Sequence, residues 1–536
     1  LAEEGTGGLS NNAADIAKVS TRGGLNVLWG LVISSIISAV GVLFIGRLLG
    51  PDAYGLYTIA LIAPNMILIF RDWGVTYAMI RFTAKYRAEG RLDEVRSIIF
   101  SGLVFEFASG LILCLISFAV SDYIAASIFN RPALAPLMQI ASFYILASAI
   151  ISAASAAFTG LERMALNSVM NICISIIKTA LIITLVILGF STSGAVIGLV
   201  GATFIAGIIG LTLLYTIYRT LPKPLSLTLE VKEYLKEMLR YGVPLSVAVI
   251  VASFMAQYYY FLLPIFYTSD NTMIGNYGIA QTFIVLIGFF STPITTMLFP
   301  AFSKLDHTKD RETLKRIYKL SVKYASLLVV PVVAMVMALA QPGVNVLFGS
   351  SYAAAPLFLA MLAIGYSYAA FGNLSTSNLI NSQGHTNFIL KITLLTACIG
   401  IPIGTVLVLS YGVVGLIITS LIEAIPSHII SLYWIRKKYG VTVDWGASAR
   451  IVLASAIAAA LTFGVISAVS FSSIVELLLG AVVFVPVVGL GLLFSGVISR
   501  NDIANLELVV GTLGVLGRLA RKFLTFIEKI MPKPRS

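Results

Sequence analysis

The chain has 536 residues, of which 58% are hydrophobic and 11% charged, and a formal net charge of +12. Soluble globular proteins carry about 25% charged and about 45–50% apolar residues, so these proportions exclude a soluble enzyme, a disordered chain and a nucleic-acid-binding domain. The three cysteines, Cys114, Cys173 and Cys398, sit inside apolar runs and imply no disulfide framework and no metal site.

Taken in chain order, residues 1–23 form an N-terminal segment with no Lys or Arg before Lys18, so no cleaved signal peptide is expected. Apolar runs long enough to cross a bilayer follow at about 24–46, 54–80, 97–120, 133–159, 164–189, 194–218, 242–267, 274–301, 320–341, 354–381, 385–410, 412–435, 447–469 and 472–496. This predicts an all-α integral membrane protein with about fourteen transmembrane helices. With the N-terminus placed in the cytoplasm, 31 of the 36 Lys and Arg fall on the inner side, two (Arg47 and Arg131) on the outer side, and three (Arg71, Lys178 and Lys391) within spans. That asymmetry places both termini in the cytoplasm and accounts for the basic balance without any nucleic-acid partner. Residues 497–536 carry apolar residues at helical spacing beside basic ones. They are expected to form an amphipathic tail, either lying against membrane lipids or extending the last span.

The chain also repeats itself. At a shift of 220 residues, Gly55-Leu56-Tyr57-Thr58-Ile59-Ala60 falls on Gly275-Asn276-Tyr277-Gly278-Ile279-Ala280, and Ala135-Pro136-Leu137 falls on Ala355-Pro356-Leu357; Gly160 matches Gly384 at a shift of 224. The expected organisation is therefore an N-lobe over 24–219 (spans 1–6), a hinge-like linker over 220–241, a C-lobe over 242–437 (spans 7–12), and spans 13–14 over 438–496. Six spans per half make the repeats parallel, a transporter arrangement with a substrate cavity between the lobes.

Motifs strung along 20–437 resemble those of the polysaccharide transporters. Arg47-Leu48-Leu49-Gly50-Pro51-Asp52-Ala53-Tyr54-Gly55 is similar to the segment after that family's first span, and Asp72-Trp73-Gly74 to its D-x-G in the second. Phe158-Thr159-Gly160-Leu161-Glu162-Arg163, Ser382-Gln383-Gly384-His385 and Tyr411-Gly412-Val413-Val414-Gly415 resemble its later turns. These are the Wzx-type lipid-linked oligosaccharide flippases of the MOP superfamily, which also holds the MATE drug exporters. The resemblance implies export of a lipid-linked oligosaccharide by alternating access.

Ionisable residues inside a span are functional candidates because their burial is costly. Arg71 and Asp72 in span 2 and Glu106 in span 3 lie at a common depth, about ten residues from the inner end. Arg71 either pairs with Glu106 or meets a substrate phosphate on the cavity wall. Lys178 lies mid-span with no acid at i±3 or i±4, and either holds the anionic headgroup or pairs with Glu423 or Asp72. Asp72, Glu106 and Glu423 are structural acids or sites for a coupling cation, H+ or Na+. Asn373 and Asn378 in span 10, Gln257 and Tyr258 in span 7, and Asn26 in span 1 could line a saccharide path or bond between helices. No nucleotide-binding loop, nucleophile elbow or metal-ligand spacing occurs, so neither catalysis nor a cofactor is expected. An acid-lined cavity would favour the drug-exporter alternative; Lys178 and Arg71 favour an anionic substrate.

Overall fold

The computed structural model describes residues 4–222, 227–305, 310–469, 471–498 and 502, with side chains from Ile33 onward except at 227–230 and several positions between 286 and 300. Asn26 and nearly all of the expected tail lie outside the described side chains. Every regular element among the described residues is helical, as a bilayer requires when each backbone N–H and C=O must be satisfied within the chain. The helices are α1 (Glu4–Leu68), α2 (Val75–Ala88), α3 (Leu92–Tyr123), α4 (Ala135–Gly160), α5 (Met164–Leu185), α6 (Ser191–Tyr218), α7 (Leu227–Phe266) and α8 (Thr272–Ser303). They continue with α9 (Arg311–Ala338), α10 (Ala340–Phe348), α11 (Ala355–Ile364), α12 (Asn373–Ser382), α13 (Thr386–Tyr439), α14 (Trp445–Ser467) and α15 (Ser473–Phe494).

Two compact units result. The first comprises residues 1–279 and 393–419, the second 280–392 and 420–536. In the first, α2, α3 and α4 close on a core that includes Val75, Met79, Ile98, Ile99, Ala153 and Phe158. In the second, Phe302, Leu314, Tyr318, Leu379 and Tyr439 form one core, and α14 and α15 pack on α9 through another that includes Val330, Ile451, Ala458, Phe484 and Leu492. Lipid is as apolar as these side chains, so close packing rather than water exclusion holds the helices together.

Among the described residues nine helical stretches are long and apolar enough to cross a membrane, or ten if the bent pair Ala355–Phe371 and Asn373–Ser382 counts as one. This is fewer than the fourteen runs of the sequence, and part of the difference lies in two long stretches that each hold two runs. The stretches Met164–Tyr218 and Thr386–Tyr439 hold 55 and 54 residues, roughly 80 Å of helix against a hydrocarbon core of about 30 Å. Each is interrupted by a glycine at positive φ, Gly189 (φ 93°) and Gly412 (φ 58°). At Gly189 the chain doubles back: a Cβ on Gly198 would press on the Ile182 backbone at 2.9 Å, whereas a straight helix would hold those residues about 24 Å apart. At Gly412 it does the same, since a Cβ on Gly415 would collide with the Leu407 carbonyl.

The second expected span, 54–80, is not one helix. α1 ends at Leu68 and α2 begins at Val75. Between them Trp73 (φ 47°) and Gly74 (φ 80°) are left-handed, and the Asp72 carboxylate accepts the Thr76 N–H at 2.8 Å to start α2. Gly74 has no room for a side chain because its Cα side abuts the Gly242 carbonyl of α7. Nor is the 220–241 linker a hinge throughout: from Leu227 it is continuous with α7.

One turn occurs twice with the same hydrogen bonds. Leu161, Glu162 and Arg163 donate their N–H groups to the carbonyls of Ala157, Thr159 and Phe158; Gln383, Gly384 and His385 donate to Leu379, Asn381 and Ile380. The shift is 222, so Glu162 (φ 57°), not Gly160, occupies the left-handed position that Gly384 (φ 76°) holds in the second copy.

Gly74→Ala is expected to lower the thermal midpoint of the detergent-solubilised protein well beyond Gly90→Ala. Both residues are left-handed, with φ of 80° and 75°, but a Cβ at Gly90 meets nothing within 4 Å. Strain alone costs about 1 kcal/mol, and the collision with Gly242 adds about 1–3 kcal/mol. Equal shifts in a melting experiment would contradict the backbone contact.

Candidate functional site

The break between α1 and α2 sets the site. Its Arg71 Nη1 donates to Glu106 Oε2 at 2.5 Å and to the Ser148 carbonyl at 3.4 Å. The Arg71 Nε is buried without a partner. Glu106 is fully buried on α3, on the face that also carries Gly102 and Gly110 one turn to either side. Those glycines let α3 close on Met79 of α2 and Ala149 of α4, which buries the carboxylate between the three helices. Its second oxygen accepts from Thr76 Oγ1 at 3.3 Å. An ion pair in this setting is held by geometry, and removal of one member leaves the other charge buried and unpaired.

A cavity of about 300 Å³ opens beside the pair. On α4 it is lined by Tyr144, Ser148, Ser152, Ser155 and Thr159, which recur every three or four residues and so share one helix face. Arg71, Thr76 and Ile80 line it opposite the middle of that stripe, and Ile151, Ala156, Ile174 of α5 and Thr203 of α6 add to the wall. The alanines Ala149, Ala153, Ala154 and Ala157 are buried, and the hydroxyls and the guanidinium supply the polar part of a lining that also has apolar residues. The sequence reading missed this stripe. Its signal was present as Ser148, Ser152, Ser155 and Thr159 at i, i+4, i+7 and i+11 in an alanine-rich span.

The other candidate residues are distributed more widely. Lys178 is partly buried on α5, on the stripe of Asn167 and Ile174 and one turn beyond the cavity wall. Among the described residues of its unit no side chain hydrogen-bonds or ion-pairs with it, Asp72 included. Tyr258 bonds Thr405 at 2.9 Å and stacks on Phe254, while the neighbouring Gln257 Oε1 is buried without a partner. In the second unit Asn378 donates back to Leu374 of its own helix, Asn373 is exposed at the start of α12, and Glu423 is partly buried on α13. The hydroxyls beside those asparagines join helices: Thr376 bonds Tyr318 and Ser375 bonds Ser321.

A second cluster in the first unit was also missed. Arg131 donates to the Tyr267 carbonyl and to Asn271 Oδ1, and at 2.6 Å to the Thr268 carbonyl. Asn271 in turn donates to Asp52 at 2.9 Å. Burial holds the Arg131 pKa below that of a free guanidinium. Gly55 abuts the Asn271 carbonyl and Gly275 the Pro51 carbonyl, so the start of the second apolar run is clamped backbone to backbone against the 267–275 turn. The sequence signal was that Arg131 is one of only two basic residues on its side of the charge asymmetry.

Glu106→Leu is expected to destabilise the protein by about 3–5 kcal/mol, with Arg71→Met plus Glu106→Leu recovering most of the loss. Thermal unfolding in detergent reads both. A double variant as unstable as the single one would contradict the buried-pair description.

Residues 44–357 match the polysaccharide biosynthesis protein family. The chain is 21% identical over 395 residues to an uncharacterised membrane protein of Methanocaldococcus jannaschii, covering 72% of this chain and 77% of that one. It is 20% identical over 219 residues to the probable low-salt glycan biosynthesis flippase Agl15 of Haloferax volcanii, covering 41% of this chain and 46% of that one. Among solved structures it is similar to the lipid II flippase MurJ in an inward closed conformation, with a TM-score of 0.64 at 14% identity over 87% of this chain and 98% of that one. It is also similar to an inward-facing multidrug resistance MATE family transporter of the MOP superfamily, with a TM-score of 0.59 at 16% identity over 77% and 98%. The chain thus belongs to the polysaccharide biosynthesis protein family and is a multi-pass membrane protein with the fold of the MurJ and MATE structures.

Proposed function

We propose that this protein is a flippase that carries a polyprenyl-(pyro)phosphate-linked oligosaccharide from the cytoplasmic to the outer face of the membrane by alternating access. The observation that carries the reading is the cavity that the Arg71 guanidinium lines together with the α4 hydroxyls. Sugars bind through hydrogen bonds, which the α4 stripe offers. A pyrophosphate diester needs a cationic donor in a low-dielectric site, and the Arg71 Nε has no other partner. Lys178, one turn along α5 from the cavity wall, takes the second anionic charge as the headgroup advances.

The architecture in this reading has fourteen spans in two parallel six-helix repeats plus two C-terminal helices. The reversals at Gly189 and Gly412 support dividing the long stretches, and the duplicated turn at 161–163 and 383–385 supports the repeat. The 31-to-2 distribution of basic residues puts the 161–163 turn in the cytoplasm and Arg131 outside. The Arg131 clamp then closes the outer side, and its release accompanies outward opening. The Agl15 flippase supports the glycan assignment. The MATE likeness keeps a cation-coupled drug exporter as the second reading, but a cation lines the cavity.

The test is flipping of a fluorescent short-chain polyprenyl-pyrophosphate disaccharide in proteoliposomes. Hydrogen bonds to a charged group contribute about 1.5–3 kcal/mol, so Arg71→Ala should slow flipping by about 10- to 100-fold, and Lys178→Ala by about tenfold. Wild-type protein that leaves the glycolipid unmoved while expelling an organic cation would overturn the reading.

A further inference from the structure

The polar lining of the cavity continues into the protein wall. Ser152 Oγ stands 3.5 Å from Thr76 Oγ1, and Thr76 Oγ1 donates to Glu106 Oε1 at 3.3 Å. On its other side Glu106 borders an apolar groove whose remaining lining residues, Leu103, Phe107, Ile150, Ala153 and Leu211 among them, offer no side-chain donor. Of the side chains hydrogen-bonded to the buried carboxylate, Arg71 and Thr76 line the cavity and Asp72 does not. At about 30 Å³ per water the cavity has room for on the order of ten molecules, and the stripe from Thr159 to Ser148 offers them hydroxyl partners along about 16 Å of α4.

We infer that Glu106 is a proton-binding site fed from the cavity through Ser152 and Thr76, and that its protonation converts Arg71 from half of an internal ion pair into a free cation facing the cavity. A hydroxyl donates and accepts at once. Thr76 gives its hydrogen to Glu106 Oε1 and takes one from Ser152, which takes one from a hydronium ion in the cavity. The net change is one proton moved from hydronium to carboxylate, leaving water, with no other bond altered. Arg71 Nη1 then loses the charge that held it, beside an Nε that has no partner.

The charged and titratable groups facing this exchange are few. The break contributes Arg71 and Asp72, both acting electrostatically on Glu106. α2 contributes Thr76, and α4 contributes Tyr144, which faces the Arg71 charge. From α7, which also packs on α3, no charged side chain pairs with Glu106 among the described residues. The inference rests on the flippase reading in one respect, that the freed guanidinium receives an anionic headgroup. Proton and anion then favour each other reciprocally, and one proton changes the anion affinity by up to about tenfold per pH unit.

The proton site is tested without substrate. Infrared difference spectroscopy on the reconstituted protein after pH jumps, over roughly pH 5 to 9, should show one titrating carboxyl band that Glu106→Gln abolishes. Arg71→Gln plus Glu106→Gln, which leaves no unpaired charge, should abolish it equally and guards against misfolding of the single variant. Thr76→Val should slow the rise of the band about tenfold or more, and Thr76→Ser should restore it. A band that survives both Glu106 variants, no titrating band at all, or kinetics indifferent to Thr76→Val overturns the site or its relay. The switch is read from binding of farnesyl pyrophosphate, as the ratio of wild-type to Glu106→Gln affinity, in which the ionisation of the ligand cancels. The ratio should rise as pH falls. Binding with a constant ratio overturns the switch alone. A normal carboxyl band with no pyrophosphate binding by either protein contradicts the flippase reading and leaves the proton site standing.

Discussion

A guanidinium and a carboxylate 2.5 Å apart inside an apolar bundle are the constraint around which the first unit is arranged. Neither charge is tolerable there alone. Glu106 is reached by Arg71 only because the helix that would have continued through residue 71 is broken, which frees the side chain to point at α3. The break is held by Asp72, which caps α2, and by Gly74, which lies against Gly242 where a larger residue could not fit. Gly102 and Gly110 bring α3 close enough to bury the acid. The Asp-Trp-Gly motif is thus a backbone device that delivers a charge to a buried depth.

The same economy of small residues builds the cavity. An alanine-rich α4 packs tightly on three sides and leaves one face of hydroxyls partly open. Those hydroxyls make a surface suited to hydroxylated or hydrated contents, with a cation beside Ser148. The site lies within one compact unit, so its geometry is set by local packing. The clamp at Arg131 uses related means at a different place, with one guanidinium gathering two carbonyls and an amide while paired glycines let the backbones touch.

Much of this was legible in the sequence. The all-helical membrane class follows from apolar run lengths. The Arg71 and Glu106 pairing was one of the two readings that their equal depth allowed, since charges in lipid seek each other at the same level. Other features were hidden for definite reasons. Hydropathy averaged over the length of a span does not register a break such as Ile69–Gly74, since its six residues are outweighed by the apolar residues on either side; only the left-handed Trp73 and Gly74 reveal it. The α4 hydroxyls were overlooked because serine and threonine in a span usually bond to their own backbone, as Thr159 does to Ser155, and single residues gave no sign of a shared open face. The expected repeat sets Gly160 on Gly384, two residues out from the duplicated turn, because Glu162 takes a conformation that composition assigns to glycine.

Native mass spectrometry of protein gently solubilised from its own membranes tests the central claim most directly, with wild type set beside Arg71→Gln plus Glu106→Gln. The account predicts a wild-type adduct with the mass of a polyprenyl-phosphate-linked glycan, and its loss from the variant. A glycolipid retained equally by both, or an organic cation in its place, would contradict an Arg71-lined cavity as the binding site.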